Sequence, residues 1–235
     1  MGATLFHRAL SSLLPERCQG CRGPADAGFC AYCRALVSRV GDACTGCGLE
    51  QPVNRCPRPD KGWRIASVTA PFRYESPLDT HIHAMKFRPS RPMGRALGQL
   101  LARDLGERRL AETVDALVPV PLHRRRLRER GFNQAFEIAR PVASATGLPL
   151  LVHGIRRRAN TQPQSLLAAH ERYRNLRGAF GIRRSLKGMN VAIIDDVITT
   201  GATVNALAAS LREAGADEIH AWALARVVPR RGLRQ

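Results

Sequence analysis

Residues 191–203 read VAIIDDVITTGAT, and this stretch decides which fold class the chain adopts. An apolar run rich in β-branched residues ends at two adjacent acids, and a loop of threonines and a glycine then leads into an apolar helical pattern. Acids, hydroxyls and backbone N–H groups therefore meet at the carboxyl end of a buried strand, where open α/β sheets bind their ligands. The stretch predicts a site for a sugar that carries a phosphate.

Each residue type in this stretch suits one part of a sugar phosphate. Asp195 and Asp196 can accept hydrogen bonds from vicinal ribose hydroxyls and can hold Mg²⁺, so we assign them as the catalytic residues. The phosphate is expected at the start of the following helix, where backbone N–H groups and the helix dipole attract anions. The residues assigned to it are Thr199, Thr200, Gly201, Ala202 and Thr203.

The same stretch has two other interpretations. A threonine can simply cap the helix that follows a strand, and two acids after a strand can hold Mg²⁺ in a nucleotide-hydrolysing site. The chain contains no G-x-x-x-x-G-K-[ST] sequence to accompany such acids, which disfavours the second interpretation.

Strand and helix patterns alternate along the rest of the chain. Strands are predicted at residues 65–74, 116–121, 189–194 and 218–227, and helices at residues 78–87, 93–105, 133–146, 165–176 and 201–214. The basic, polar stretch 156–164 is predicted to be a loop, and residues 1–15 a short amphipathic helix. This alternation predicts an α/β fold with a mainly parallel sheet flanked by helices.

All seven cysteines lie between Cys18 and Cys56, which divides the chain into two unequal parts. Residues 57–62 contain two prolines and a glycine and are typical of a linker, so a domain boundary is expected near residues 60–65. We therefore predict an N-terminal helix and cysteine-rich module at residues 1–60, followed by the α/β domain at residues 65–230.

The cysteines form two copies of one pattern. The first set is Cys18, Cys21, Cys30 and Cys33, and the second, 26 positions later, is Cys44, Cys47 and Cys56. Two C-x2-C knuckles complete a tetrahedral Zn²⁺ site, so the first set is expected to hold a structural zinc ion that stabilises a very small module. In the second set Pro59 stands where a fourth thiolate would be, so that site is empty, borrows another group or binds metal weakly.

Two alternatives to this pairing remain. The knuckles can be cross-braced, with Cys18 and Cys21 joined by Cys44 and Cys47. The C-x2-C pairs can also be redox-active, although thioredoxin-like pairs belong to a βαβ unit that this region lacks.

The chain carries an unusually high positive charge. Its 235 residues contain 37 Lys and Arg against 19 Asp and Glu, which gives a formal net charge of +18. A GC-rich genome that favours arginine codons would explain the excess, but a polyanionic partner, most simply nucleic acid, explains it better. Aromatic residues make up only 5% of the chain, which disfavours a surface that binds nucleic acid mainly by base stacking.

The distribution of apolar residues indicates where the protein works. No apolar run approaches the roughly 18 residues needed to cross a membrane. Residues 1–15 lack the long apolar segment of a secretory signal. We therefore expect no membrane span and a cytoplasmic location.

Residues 191–203 resemble the phosphoribosyl pyrophosphate (PRPP) motif of type I phosphoribosyltransferases, in which an Asp-Asp pair precedes a Thr-Thr-Gly-x-Thr loop. The resemblance implies a five-stranded parallel sheet flanked by helices, with a flexible hood over a Mg²⁺–PRPP site. It also implies that the acid pair contacts the ribose 2- and 3-hydroxyls and that the loop binds the 5-phosphate.

Further segments narrow the resemblance. VPVPLH at residues 118–123 leads into RGFNQ at residues 130–134, and cysteine pairs precede both. A later basic stretch contributes Arg157, Thr161, Gln164, Leu167, Arg172, Asn175, Ala179 and Phe180. Together these residues resemble the ComF/GntX family of competence-associated proteins from Cys18 to Arg226, and Pro59 in place of an eighth cysteine is the departure.

The segment that follows the 116–121 strand is expected to bind pyrophosphate. Pro121 and Leu122 lie at its start, and residues 124–130 then place five arginines around one acid. Such a run is often a solvated helix face, but its position after a ligand-binding strand favours anion binding. Arg128 and Arg130 are the residues assigned to the anion.

A hood loop is expected further along the chain. Arg157, Thr161 and Gln164 resemble the loop that closes over the ligand in this family. The alternative is a mobile polar loop, and both descriptions can hold at once.

These observations support two functions. The resemblance implies a protein that binds PRPP with Mg²⁺ and works with single-stranded DNA and DNA-uptake proteins in natural transformation. The alternative is a phosphoribosyltransferase that acts on a nucleobase or another small acceptor, although no residue identifies a nucleophile. A purely structural protein that binds no PRPP fits poorly, because the acid pair and the threonine loop are complete.

Overall fold

The computed structural model describes residues 16–51, 56, 62–87, 90–158 and 178–228. The predicted helices at residues 1–15 and 165–176, and the predicted hood residues Thr161 and Gln164, lie outside these described residues. Within them, no helix combines the length and the apolar character needed to cross a membrane.

Short strands and longer helices alternate along the described residues. The strands are β1 (Glu16–Arg17), β2 (Pro24–Ala25), β3 (Ser67–Thr69), β4 (Phe72–Arg73), β5 (Ala116–Pro119), β6 (Ile155–Arg157), β7 (Phe180–Ile182), β8 (Val191–Ile198) and β9 (Ile219–Arg226). The α-helices are α1 (Ala31–Ala35), α2 (Leu78–Phe87), α3 (Arg91–Glu107), α4 (Arg124–Arg130), α5 (Gln134–Thr146) and α6 (Ala202–Glu213). A 3₁₀ helix, Leu110–Thr113, connects α3 to β5.

The central sheet is parallel, with the strand order β3-β9-β8-β5. β4 also pairs with β9 in parallel, so β3 and β4 lie end to end on one edge and five strands occupy four positions. β8 and β9 are central strands, which brings the end of β8 into the middle of the ligand-binding edge. The sheet flanked by helices that the sequence predicts is confirmed.

Helices cover both faces of this sheet. Ala192 and Ile194 of β8 belong to the core shared with α3 and α5, whereas Val191 and Ile193 belong to the core shared with α6. All four side chains are inaccessible to solvent. A parallel strand buried on both faces reads as a continuous apolar run, which is why residues 191–194 show no polar alternation.

The cysteine-rich segment packs directly on the sheet domain. Cys18, Phe29 and Val37 share one hydrophobic core with residues of α2 and α3. Gly28, whose φ is +68°, lies so close to α3 that an added Cβ would come within 2.4 Å of the Ala96 side chain. Residues 57–61 lie outside the described residues, so the boundary near residues 60–65 stays a prediction.

Local sequence patterns predicted the ends of several helices correctly. α2 spans the residues predicted for it, and α3 and α6 differ from prediction by no more than two residues at either end. The Asn133 side chain caps α5 by accepting a hydrogen bond from the Ala135 N–H at 3.1 Å. Gly147 ends that helix in the left-handed conformation, with φ of +75°.

Three predicted elements were wrong in their extent. The predicted strand at residues 65–74 is divided into β3 and β4, with Ala70 and Pro71 between them, and the Pro71 carbonyl accepts a hydrogen bond from the Val40 N–H at 2.8 Å. The loop predicted at residues 156–164 begins instead as β6, which pairs antiparallel with β7 and buries Ile155. The strand predicted at residues 189–194 continues as β8 to Ile198, because its pairing with β9 continues that far.

Candidate functional site

Asp195 and Asp196 lie within β8 and line a cavity of about 390 Å³, called the acid-pair cavity below. Two residues of the predicted phosphate loop, Thr199 and Thr203, line the same cavity. The other lining residues are Tyr74, Lys86, Val120, Leu122, Arg126, Arg130, Asn133, Gln134, Ala135, Arg157 and Val197. Carboxylates, hydroxyls and arginines therefore line one cavity.

Backbone amides orient both carboxylates. The Asp196 N–H donates to Asp195 Oδ1 at 2.9 Å, and the Val197 N–H donates to Asp196 Oδ1 at 2.8 Å. Burial, together with the neighbouring Asp196 charge, raises the pKa of Asp195 well above its usual range, although the Asp196 amide and Lys86 oppose the shift. Two adjacent carboxylates that line one cavity offer the oxygen ligands that Mg²⁺ prefers.

Lys86, at the end of α2, is a site residue that sequence reasoning missed. Its Nζ lies 2.7 Å from Asp196 Oδ2, and both side chains are mostly buried. Burial lowers the pKa of Lys86, but the charges of Asp196 and Asp195 outweigh it and the net pKa is raised. The sequence contains one signal that could have indicated Lys86. Lysine is rare in this chain, with three lysines among its 37 Lys and Arg residues, and Lys86 is one of them.

The threonine loop connects β8 to α6 through a left-handed glycine. Gly201 has φ of +83° and stands at the N-cap of α6. An added Cβ there would come within 2.8 Å of the Trp63 ring, so glycine is required both by backbone conformation and by packing. Thr200, Gly201 and Ala202 are not among the cavity's lining residues, whereas Thr199 and Thr203 are.

Three arginines line the acid-pair cavity and are together called the arginine wall below. Arg126 and Arg130 stand four residues apart on one face of α4, and Arg157 of β6 lies near them. Burial lowers the pKa of Arg126 and of Arg157, and each is lowered further by a neighbouring guanidinium. Like charges that are held together and partly dehydrated favour the binding of an anion between them.

The assigned residue Arg128 lies elsewhere. It is exposed on α4 and does not line the acid-pair cavity. Residues two positions apart on a helix point in nearly opposite directions, so Arg128 cannot share a face with Arg126 and Arg130. The structure thus brings Arg130 and Arg157 to the site, adds Arg126, and leaves Arg128 outside it.

A second cavity, of about 720 Å³, adjoins the first and is called the apolar cavity below. The two cavities share Leu122, Asn133 and Arg157, and Pro121 lines the apolar cavity alone. Phe132, Phe136, Leu127, Val152 and Ile155 supply its apolar surface, and Arg91, Arg124, Arg156 and Arg158 are the further basic residues around it. Such a space suits a planar apolar group attached to a negative charge.

The seven cysteines form no disulfide bonds with one another and lie in two clusters. Cys18, Cys21, Cys30 and Cys33 place their sulfur atoms within 4.8 Å of one another, and Cys44, Cys47 and Cys56 do the same. The thiols therefore group in chain order, and the cross-braced alternative is wrong.

The first cluster fits a zinc ion. Its Cys21 and Cys30 sulfurs are 3.7 Å apart, close to the roughly 3.8 Å between thiolates that bind one tetrahedral zinc at about 2.3 Å. Burial raises the pKa of the Cys18 thiol, but the N–H groups of Cys30, Cys21 and Gly20 lower it to about 6. The Cys30 N–H donates to the Cys18 sulfur at 3.3 Å, a contact that orients and stabilises a sulfur that binds metal.

Similarity to known proteins agrees with this geometry. A family model for the phosphoribosyl transferase domain matches residues 132–233. DNA utilization protein YhgH of Salmonella typhimurium is 33% identical over 92% of this chain and 99% of its own length. Competence protein F of Haemophilus influenzae is 32% identical over 89% and 96%, and competence protein ComFC of Bacillus subtilis is 28% identical over 81% and 80%. The chain belongs to the ComF/GntX family.

The site of this ComF/GntX member is assembled from two parts of the chain. The acid pair, the threonine loop and Arg157 fall within the residues that match the phosphoribosyl transferase domain. Lys86, Arg126 and both cysteine clusters come before that match. A solved purine phosphoribosyltransferase from Pyrococcus horikoshii Ot3 is 18% identical over 57% of this chain and 89% of its own, with a TM-score of 0.34.

Proposed function

We propose that the protein binds PRPP with Mg²⁺ in the acid-pair cavity and handles single-stranded DNA during DNA uptake. The observation that carries the first part is that the lining of that cavity combines two kinds of charge. Asp195 and Asp196 suit ribose hydroxyls and a cation, and Arg126, Arg130 and Arg157, which line the same cavity, suit a diphosphate. PRPP requires both kinds of partner on one small molecule.

Different residues of this chain bind different parts of PRPP. The carboxylates accept hydrogen bonds from the ribose hydroxyls, Thr199 and Thr203 donate to the 5-phosphate, and the arginine wall neutralises the diphosphate. When bound, Mg²⁺ would add positive charge at the diphosphate and would be held by the acid pair directly or through water. Lys86 Nζ, 2.7 Å from Asp196 Oδ2, supplies a positive charge beside the carboxylates before the ligand arrives.

Three observations support the role in DNA handling. The chain's net charge of +18 suits a polyanion, and the apolar cavity offers space for a base beside arginines that can contact phosphates. Its relatives are named for DNA utilization and competence. We therefore infer a place among DNA-uptake proteins, with single-stranded DNA as a direct partner.

A phosphoribosyltransferase that acts on a nucleobase or another small acceptor is the second candidate. The apolar cavity favours it, because about 720 Å³ is ample for a planar base and opens next to the proposed diphosphate position. In that reaction the acceptor attacks C1 of PRPP as pyrophosphate leaves, and the arginine wall stabilises the departing charge. Release of pyrophosphate that depends on an added base would distinguish this enzyme from a protein that only binds PRPP.

We also propose that the first cysteine cluster holds a structural zinc ion. Its four thiols converge on one point, and a metal there would stabilise a segment whose core residues are shared with α2 and α3. Chelation is expected to lower the melting temperature, and an unchanged melting curve in zinc-free protein would contradict the proposal. We also propose a cytoplasmic location, which the metal-binding spacing of the cysteines supports.

The PRPP proposal is tested by isothermal titration calorimetry with Mg²⁺ present. Changing both Asp195→Asn and Asp196→Asn is expected to weaken PRPP binding at least about tenfold, since each carboxylate loses charge-assisted hydrogen bonds. Asp217→Asn is the control, because Asp217 is an exposed acid that does not line the acid-pair cavity. Equal PRPP affinity in the wild type and the double variant would refute the assignment of the site.

A further inference from the structure

Gln134 is the first residue of α5, and it lines the acid-pair cavity although it is only 3% exposed. Its side-chain Nε2 is buried and has no hydrogen-bond partner among the described residues. A buried amide nitrogen that lacks a partner destabilises the folded protein, so native structures contain few of them. When such a group lines a ligand cavity, the simplest explanation is that a ligand accepts its hydrogen bond.

The neighbouring Arg130 fixes which end of the Gln134 amide is the donor. Arg130 Nη1 donates a hydrogen bond to Gln134 Oε1 at 3.2 Å. A guanidinium group can only donate hydrogen bonds, so the amide atom that faces it is the oxygen and the other is the nitrogen. The group without a partner is therefore a donor, and it suits a ligand atom that accepts hydrogen bonds.

Asn133 holds the backbone that carries Gln134. Its Nδ2 donates to the Val120 carbonyl at 3.0 Å, and its Oδ1 accepts from the Ala135 N–H at 3.1 Å. The Val120 N–H donates in turn to the Ile194 carbonyl of β8 at 2.9 Å. The first turn of α5 is thereby tied to the strand that carries the acid pair, so the Gln134 amide is held in a fixed position at the cavity.

The surroundings of Gln134 favour an anion as the acceptor. Burial, and then the charge of a neighbouring guanidinium, lowers the pKa of Arg126 and of Arg157 in the arginine wall. A fourth cation would add to this repulsion, whereas a neutral amide donates a hydrogen bond without adding charge. An anion that contacts Arg130 also lies beside the amide that Arg130 bonds, so one anion can engage both side chains.

We propose that Gln134 Nε2 donates a hydrogen bond to an oxygen of the diphosphate that the arginine wall binds, and that it thereby selects a ligand with an unprotonated oxygen at this position. The hydrogen bond forms only when the ligand arrives, and its formation removes the destabilisation caused by the buried donor. The identity of the anion as a diphosphate rests on the function proposed above, whereas the need of this donor for an anionic acceptor does not.

Isothermal titration calorimetry with Mg²⁺ tests the inference with two ligands, PRPP and inorganic pyrophosphate. Gln134→Leu is expected to bind each of them about tenfold more weakly than the wild type, because it nearly keeps the size of the side chain and loses the donor. Gln99→Leu is the matched control. Gln99 is a partly buried glutamine of α3 that lines a different cavity, and its Oε1 also lacks a partner within the described part of the chain. This variant should bind both ligands as the wild type does.

A double-mutant cycle separates direct contact with the ligand from an effect through Arg130. If Gln134 contacts the ligand, Gln134→Leu still weakens pyrophosphate binding severalfold in the Arg130→Ala background. No further loss in that background means that Gln134 only orients Arg130, which overturns the inference. Gln134→Glu is the second variant, and it also serves if Gln134→Leu does not fold. It keeps an oxygen for Arg130 but has no donor, so it should bind pyrophosphate more weakly than the wild type, and unchanged affinity overturns the inference.

Failure of the inference and failure of the proposed function give different results. If the wild type and Gln134→Leu bind PRPP equally well, the inference is overturned and the proposed function stands. If the wild type binds pyrophosphate but not PRPP, and Gln134→Leu binds pyrophosphate more weakly, the proposed function is overturned and the inference stands. If the wild type binds neither ligand, both are overturned.

Discussion

Lys86 Nζ and Asp196 Oδ2 lie 2.7 Å apart, which joins the end of α2 to the acid pair of β8. The contact spans 110 positions in the chain, and it places a lysine inside the proposed PRPP site. An ammonium group at this distance neutralises one carboxylate and orients it, so the two acids can stand side by side without a bound cation.

Replacing Lys86 should therefore weaken PRPP binding. Lys86→Gln leaves two adjacent carboxylates without their positive partner, and we expect a loss of affinity of about tenfold, close to the value of a hydrogen bond to a charged group. Lys187→Gln is the matched control because Lys187 is exposed, and it should bind PRPP as the wild type does. Calorimetric titration that found the same affinity for Lys86→Gln and wild type would remove Lys86 from the site.

The raised pKa of Asp195 predicts how stability depends on pH in the absence of ligand. The folded protein holds the Asp195 proton more tightly than the unfolded chain, where the pKa is near 3.8, so ionising Asp195 at neutral pH costs stability. That cost decreases as the pH falls through the raised pKa and is gone once the pH is below the unfolded-state pKa of 3.8. Asp195→Asn should accordingly raise the melting temperature at pH 7, and the difference from wild type should vanish near pH 4.

Asp217→Asn serves as the control for this titration, because Asp217 is an exposed acid that does not line the acid-pair cavity. It should melt like the wild type at both pH values. A lower melting temperature for Asp195→Asn at pH 7 would mean that the ionised form of Asp195 is stabilised in the folded protein, contrary to our account.

The sequence predicted the parts of the site that are local in the chain. Residues 191–203 contain the acids, the loop and the helix start, so their order alone indicated where they meet. Lys86 could not be placed in the same way, because an amphipathic helix pattern does not show which strand its last turn reaches. Arg226 was predicted only as the end of a strand, and its bonds to the Cys47 and Ile198 carbonyls depend on tertiary packing.

The arginines of α4 show a second limit of prediction from the sequence. The run 124–130 was predicted to bind an anion, with Arg128 and Arg130 assigned to it, but this assignment did not take helical phase into account. The structure makes α4 a helix, and its four-residue spacing brings Arg126 and Arg130 to the cavity together. Part of β6 was predicted as a loop, because its partner strand, β7, is distant in the sequence and the pairing cannot be recognised locally.

A direct comparison of Arg126 and Arg128 tests the orientation of α4. Arg126→Ala removes a guanidinium from the wall of the acid-pair cavity and should weaken PRPP binding about 10- to 100-fold. Arg128→Ala removes the same charge from the exposed face of the same helix and should leave PRPP affinity nearly unchanged. Equal losses in the two variants would indicate a general effect of charge and not an interaction with the diphosphate.

Binding of single-stranded DNA should depend on salt and on the arginines around the apolar cavity. Arg156 and Arg158 are exposed and line that cavity, so Arg156→Ala/Arg158→Ala should lower the slope of log affinity against log salt by about 1.4, or about 0.7 for each phosphate that is no longer neutralised. Arg103→Ala/Arg212→Ala removes two exposed arginines from α3 and α6 and is the control of equal charge. Fluorescence anisotropy over a range of salt concentrations measures both slopes. If the slope falls equally in the two double variants, DNA binds by overall charge alone, and the apolar cavity has no special part in it.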